Sequence, residues 1–170
     1  MKVILYMAIS VNGMIAREND DTSFVSKIEW KSFRNMVQKT GNIIVGRRTY
    51  EIMKNSNELA KIKKIKLVVV SHKKIKDNDI VFVKTPRYSI EILEKCGFKT
   101  ALVAGGGNLS SSFMKENLVD EIYLDIEPVA IGNGIQLFSD SKFEKKLKLL
   151  STKKLSYHEI QLHYKVIKRK

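Results

Sequence analysis

Three short stretches of the chain carry residue types that hold phosphate groups. In Gly46-Arg47-Arg48-Thr49 the glycine permits close approach, two guanidinium groups can fork onto phosphate oxygens, and the threonine adds a hydroxyl and its backbone N–H. Ser71-His72-Lys73 offers a hydroxyl and positive charge. The third stretch, Ala101-Leu-Val-Ala-Gly105-Gly106-Gly107-Asn108-Leu109, runs from an apolar segment through three glycines into a helix-starting sequence. Three consecutive glycines are costly in chain entropy and are tolerated where backbone bends sharply or approaches something closely. A helix beginning there aims unsatisfied N–H groups and a partial positive charge at its occupant, which suits a phosphate. Taken singly, each stretch also reads as a plain turn or a solvated helix end. Two phosphate-friendly turns together with a glycine-rich one suggest a dinucleotide carrying an extra phosphate.

The elements that must position these residues alternate along the chain. Residues 3–10 form a nearly continuous apolar run, as in a strand buried on both faces, and Asn12-Gly13 marks a turn. Residues 24–40 have helical periodicity, with Phe33, Met36, Val37 and Thr40 on one face and Gly41 as C-cap. Short buried strands are expected at 42–45, 65–70, 80–83, 101–104 and 119–126. Helices are expected after Gly46, over 86–96 and after the glycine triplet, with residues 130–138 as a loop. Residues 147–155 and 157–167 alternate around Ser156 as an antiparallel hairpin, with Ile160, Leu162, Tyr164 and Val166 on one face. Repeated strand–helix units followed by a hairpin imply one α/β domain over residues 1–170, with helices on both faces of a mixed, mainly parallel sheet. Ligands in such sheets sit beyond the carboxyl ends of the strands, where all three phosphate-friendly stretches fall.

Composition narrows the function. The chain has 170 residues, 44% of them hydrophobic, and no apolar run long enough to span a membrane. The first apolar run lacks a signal-peptide cleavage pattern, and the single Cys96 cannot form an internal disulfide, so a reducing, cytoplasmic setting is expected. His72, His158 and His163 are scattered, which offers no metal site; the last two fall on opposite faces of the expected terminal strand. The formal net charge of +13 comes mostly from lysine runs within 61–66, 73–76, 145–154 and 165–170. These runs border apolar segments and lack the interleaved aromatics of single-strand binders, so a small polyanionic ligand is a better match than nucleic acid. A Rossmann fingerprint fails because Ser110 stands where the third glycine belongs, and too little chain follows Asp125 to complete a doubly wound domain.

Five segments, at 4–16, 43–53, 67–73, 101–114 and 119–138, together resemble the dihydrofolate reductase superfamily, which includes the reductase domain of the bifunctional riboflavin-biosynthesis deaminase–reductase. Val45-Gly-Arg-Arg-Thr-Tyr-Glu51 and Val103-Ala-Gly-Gly-Gly-Asn108 carry most of the likeness. The resemblance implies a three-layer αβα fold around about eight strands, NADPH as hydride donor, and a homodimer. It implies that Arg47, with Ser71 and His72, faces the 2′-phosphate, while Arg48 and Thr49 face the pyrophosphate. Gly106, Gly107, Asn108 and Leu109 would wrap the pyrophosphate and nicotinamide side, joined through a cis Gly105–Gly106 peptide. Ala8, Ile15 and Ala16 would line the nicotinamide pocket.

On the substrate side the motifs are mixed. Folate enzymes place a carboxylate early in the first helix; the position here is Trp30, with Glu29 adjacent and able to share the inward face of Phe33 and Met36. Glu29 also fits a solvated acid in a first helical turn. Ser10-Val-Asn12-Gly13-Met-Ile-Ala16 is similar to the Ser-x-Asp-Gly-x-Ile-Ala segment of the riboflavin-pathway reductases. Asp125 is expected at a strand end, either accepting hydrogen bonds from an aminopyrimidine or solvated. The leading expectation is reduction of a riboflavin-pathway ribosylaminopyrimidine. Reduction of dihydrofolate comes second, and a cofactor- or nucleic-acid-binding protein without chemistry third.

Overall fold

The computed structural model describes residues 1–62, 64–73, 80–139 and 142–168. Parts of the lysine runs, at positions 63, 74–76 and 169–170, lie outside the described residues. The chain order is β1 (Lys2–Ser10), β2 (Met14–Arg17), α1 (Lys27–Thr40), β3 (Asn42–Gly46), α2 (Arg47–Asn55), a single 3-10 turn (Leu59–Lys61) and β4 (Lys66–Val70). It continues through β5 (Val81–Val83), α3 (Pro86–Lys95), β6 (Thr100–Val103), α4 (Gly107–Lys115), β7 (Glu121–Glu127), β8 (Gly134–Gln136), β9 (Leu147–Lys154) and β10 (Ile160–Val166).

Eight strands form one sheet in the order β5-β4-β3-β6-β1-β7-β10-β9. The first six are mutually parallel, and β10 runs antiparallel to both β7 and β9. The expected α/β class, mainly parallel sheet and terminal hairpin are all present. Successive residues of β1 alternate between two cores. Val3 and Leu5 pack with Leu93 of α3 and Phe113 of α4, while Ile4 and Tyr6 pack with Phe33 and Val37 of α1 and Met53 of α2. Both faces of the central strand are therefore helix-covered, which is why it reads as unbroken apolar sequence. Each such side chain contributes about 1.5–3 kcal/mol on burial.

Several expectations need correction. The first helix begins at Lys27 rather than residue 24, because Ser26 caps it by accepting the Glu29 N–H at 3.0 Å. Met14–Arg17 and Gly134–Gln136 are not simply turn and loop; they pair antiparallel as β2 and β8 in a separate small sheet. His158 lies in the turn before β10 rather than on a strand with His163, and the His163 ring stacks on Tyr123 at 3.9 Å. All of β9 is exposed at the sheet edge, where Lys148, Lys153 and Lys154 discourage further strand pairing. Among the described residues, no helix is long and apolar enough to cross a membrane.

Candidate functional site

The carboxyl ends of β1, β3, β4 and β6 open into one cleft of about 910 Å³. Strand ends and the helices they feed supply its walls: Ala8 from β1, Ile15 and Ala16 from β2, residues 46–49 at the β3–α2 junction, residues 71–73 after β4, and residues 106–109 at the start of α4. Fourteen of the sixteen residues expected at a site thus share one cavity.

Two expected residues sit behind the wall. Gly105 lies at φ +73°, and its peptide to Gly106 is cis, as the resemblance implied. Its carbonyl accepts the Gly46 N–H at 2.8 Å, tying β3 to the glycine turn. A Cβ at Gly105 would fall 2.9 Å from Met7 Sδ, so the position requires glycine for both space and backbone angle. Asp125 is not a free strand-end acceptor. It sits within β7 at 1% exposure, opposite Ala8 in the parallel register and Gln161 in the antiparallel one. Tyr6 donates to its Oδ2 at 2.5 Å and Gln161 Nε2 to its Oδ1 at 2.8 Å. Burial pushes its proton affinity up despite these donors.

The helix N-termini differ in a telling way. Helices α1 and α3 are capped by Ser26 and Thr85, each accepting a first-turn N–H. Helices α2 and α4 begin at Gly46 and Gly106 with no side-chain cap, and both of those ends line the cleft. Their unsatisfied N–H groups and dipoles fit a pyrophosphate. Cationic side chains stand around them. The Nη1 of Arg47 donates to both oxygens of Glu51 at 2.8 and 3.0 Å, and Arg48 pairs with Asp20 at 2.5 Å.

Lys73 of the Ser71-His72-Lys73 stretch lines the cleft as expected, whereas sequence reasoning missed Lys84, the loop residues 20–23 and Val25. Lys84 follows β5, whose pairing with β4 and the Ser71 N–H bond to the Val83 carbonyl, 2.8 Å, bring it to the same edge. The signal was the parallel order of two short strands, which no local pattern prints. Trp30 and Phe33, expected beside Glu29 on the substrate side, line the cleft with it, and so do Tyr6, Ile52 and Met53, which sequence reasoning missed as lining residues.

Glu29 is no solvated helix-start acid. It is 4% exposed and faces the cleft. Burial foremost, then the charges of Asp125, Glu127 and Glu159, raise its pKa from 4.5 to about 8. Glu127 is buried where its Oε1 accepts the Ser26 N–H at 2.9 Å. Glu159 is buried as well, and its Oε2 has no hydrogen-bond partner among the described residues. A carboxyl that holds its proton near neutrality, beside a cradle for a dinucleotide, can serve proton transfer during a reduction.

The parallel sheet with an antiparallel end and a cleft at its carboxyl edge define a dihydrofolate reductase-like protein. The chain belongs to the RibD C-terminal domain family, whose pattern matches residues 1–159. That family is one of reductases. The Bacillus subtilis protein YwjB is 30% identical over 96% of this chain and 97% of its own length. Among solved structures, a protein of Shewanella sp. PV-4 superposes with a TM-score of 0.84 at 20% identity, covering 99% of this chain and 100% of its own. A Thermotoga maritima diaminohydroxyphosphoribosylaminopyrimidine deaminase/5-amino-6-(5-phosphoribosylamino)uracil reductase matches with a TM-score of 0.75 at 16% identity. That match covers 98% of this chain and 56% of the Thermotoga chain.

Proposed function

We propose that the protein is an NADPH-dependent reductase of a small amino-substituted heterocycle, either a ribosylaminopyrimidine or a pterin. One observation carries this reading: two uncapped helix N-termini and one buried, proton-retaining carboxyl line the same cleft. When bound, the reduced nicotinamide supplies a hydride to an unsaturated substrate carbon, and the neighbouring nitrogen or oxygen gains a proton.

The chain's own residues do the rest. The bare ends of α2 and α4 hold the pyrophosphate, assisted by Arg48 and Thr49. Arg47, Ser71 and His72, flanked by Lys73 and Lys84, hold the 2′-phosphate. Ala8, Ile15 and Ala16 form the wall for the nicotinamide, with Asn108 and Leu109 opposite. Glu29 holds the proton and orients the substrate's N–H edge, while Trp30, Phe33 and Met53 exclude water. Kinship favours the ribosylaminopyrimidine. The burial of Glu29 favours the pterin, because a proton-retaining acid at this place is what protonation of a ring nitrogen needs.

Loss of nicotinamide absorbance in the presence of each substrate tests the proposal. Turnover of one of them with NADPH, abolished or cut severely in Glu29→Ala, is the expected result. Failure of both NADPH and NADH to bind would remove the reductase reading.

A further inference from the structure

Two buried carboxyls that the proposed reaction does not use stand face to face. Glu127 closes β7, and Glu159 immediately precedes β10. The antiparallel register pairs Ile126 with Ile160 and Asp125 with Gln161. One step further along, Glu127 and Glu159 fall opposite each other, on the face where Gln161 meets Asp125. They are only 2% and 6% exposed, and their carboxyl groups are in hydrogen-bond contact.

Like charges placed directly across a strand pair repel, and burial removes the water that would screen them. Ionised carboxylates are acceptors only, so a hydrogen bond between two of them requires that one keeps a proton. Among the described residues no other cation fills that role. Neither carboxyl belongs to an ion pair there. No described group of His, Cys, Asp and Glu side chains is arranged to hold a metal ion. Neither residue lines the cleft, so an occupant of the cleft does not bridge them. The nearby cations act elsewhere, Arg34 on Glu29 and Lys153 on Asp125. The Oε2 of Glu159, buried without a partner among the described residues, independently marks a missing donor. Burial foremost raises the proton affinity of Glu127, and the Glu159 charge adds to it, against the donors of Ser26.

The consequence reaches the cleft through Ser26. Its backbone N–H donates to Glu127 Oε1 at 2.9 Å, and its Oγ accepts the Glu29 N–H at 3.0 Å. The residue that caps α1 is thus held by β7 on one side and holds Glu29 on the other.

We propose that Glu127 and Glu159 share one proton, and that this carboxyl–carboxylate clamp positions Ser26 and, through it, Glu29 at the cleft. The shared proton is a feature of the fold alone. The positioning of Glu29 for chemistry rests on the reductase reading above.

Carboxyl-carbon NMR of protein labelled at glutamate reads the proton directly. Glu29→Gln serves as the parent, because it removes the other proton-retaining glutamate. Resonances assigned by their loss on adding Glu127→Gln or Glu159→Gln should show one proton held between them at about pH 6, where an ordinary glutamate is almost fully ionised. Two fully ionised groups at that pH, or a separate proton on each, would overturn the sharing. The positioning role is read with Glu29 intact. Glu127→Ala should slow reduction at least about tenfold while NADPH affinity stays unchanged. Glu127→Gln should recover most of that loss, since its amide oxygen still accepts from Ser26 and its amide nitrogen donates to Glu159 at every pH. A Glu127→Gln protein ten times slower than wild type would overturn the positioning role, whether or not Glu127→Ala folds. A shared proton in a protein that reduces neither substrate leaves the pair standing and removes the reductase, and the positioning role with it.

Discussion

The Tyr6 hydroxyl donates to Asp125 Oδ2 at 2.5 Å, joining the central strand β1 to β7 beneath the cleft floor. Ser32 Oγ lies 2.9 Å from the same phenol oxygen, and Ser32 follows Glu29 by three residues, on the same side of α1. Asp125 therefore reaches the cleft electrostatically, through Glu29, while its own oxygens stay occupied. Burial and the adjacent Asp125 hold the Tyr6 phenol far above its usual range, so it keeps the proton it donates to Asp125.

Tyr6→Phe removes that donor and leaves the buried Asp125 carboxyl with Gln161 and Ser32. We expect a loss of about 1–3 kcal/mol in denaturant unfolding, the cost of an unsatisfied buried acceptor. Dinucleotide affinity should stay unchanged, because Tyr6 belongs to the other half of the cleft.

Glu29 gives the protein a pH-dependent stability of defined sign. Its pKa is raised to about 8 in the folded state from an ordinary 4.5, chiefly by burial. The folded state thus binds the extra proton between those limits. The contribution is fully present below the lower value and is lost as pH rises through about 8. Unfolding measured from pH 5 to about 9 should show Glu29→Gln gaining on wild type as pH rises. A constant difference between the two proteins would remove the assigned proton.

If Glu29 transfers that proton, the reduction rate of wild type should fall as pH climbs through about 8. Glu29→Gln should be slow and lack this limb. A limb that survives the substitution would belong to another group.

Much of this site was legible because its chemistry is local. Gly46-Arg47-Arg48-Thr49 and the glycine triplet carry their own turn and helix-start signals, and both ends turned out to face one cavity. What was illegible is set by pairing across long stretches of chain. Glu29 in a first helical turn has the same sequence signature whether solvated or buried; Asp125 and Glu127 of β7 and Glu159 before β10 decide its surroundings. Asp125 was placed near a strand end from its own segment, yet its fate follows from the facing Gln161 on β10. The pairing of β2 with β8 joins segments too far apart for any hairpin signal.

Arg47 bears on cofactor choice. Its Nη1 is shared between the two oxygens of Glu51, four residues on, so a 2′-phosphate must compete with that carboxylate. Arg47→Ala should weaken NADPH about tenfold while leaving NADH nearly unchanged. Glu51→Gln should act oppositely, tightening NADPH alone. Nicotinamide fluorescence titrations read both, and equal effects on the two dinucleotides would displace Arg47 from the 2′-phosphate.

Gly107 opens α4 directly against β8. A Cβ there would fall 2.4 Å from the Gln136 carbonyl oxygen, and that oxygen is backbone rather than a yielding side-chain tip. Its φ is not in the left-handed region, so the objection to a side chain is space alone. Gly107→Ala must therefore push β8 and its partner β2 away from the helix start, at a cost of about 1–3 kcal/mol. Because β2 carries Ile15 and Ala16 into the cleft, the same shift should loosen dinucleotide binding. Gly132→Ala serves as the control, since no atom lies within 4 Å of a Cβ there. We expect thermal unfolding and NADPH titration to move together in Gly107→Ala and to stay near wild type in Gly132→Ala. A Gly107→Ala protein of wild-type stability would mean that β8 yields without cost and does not brace the cleft.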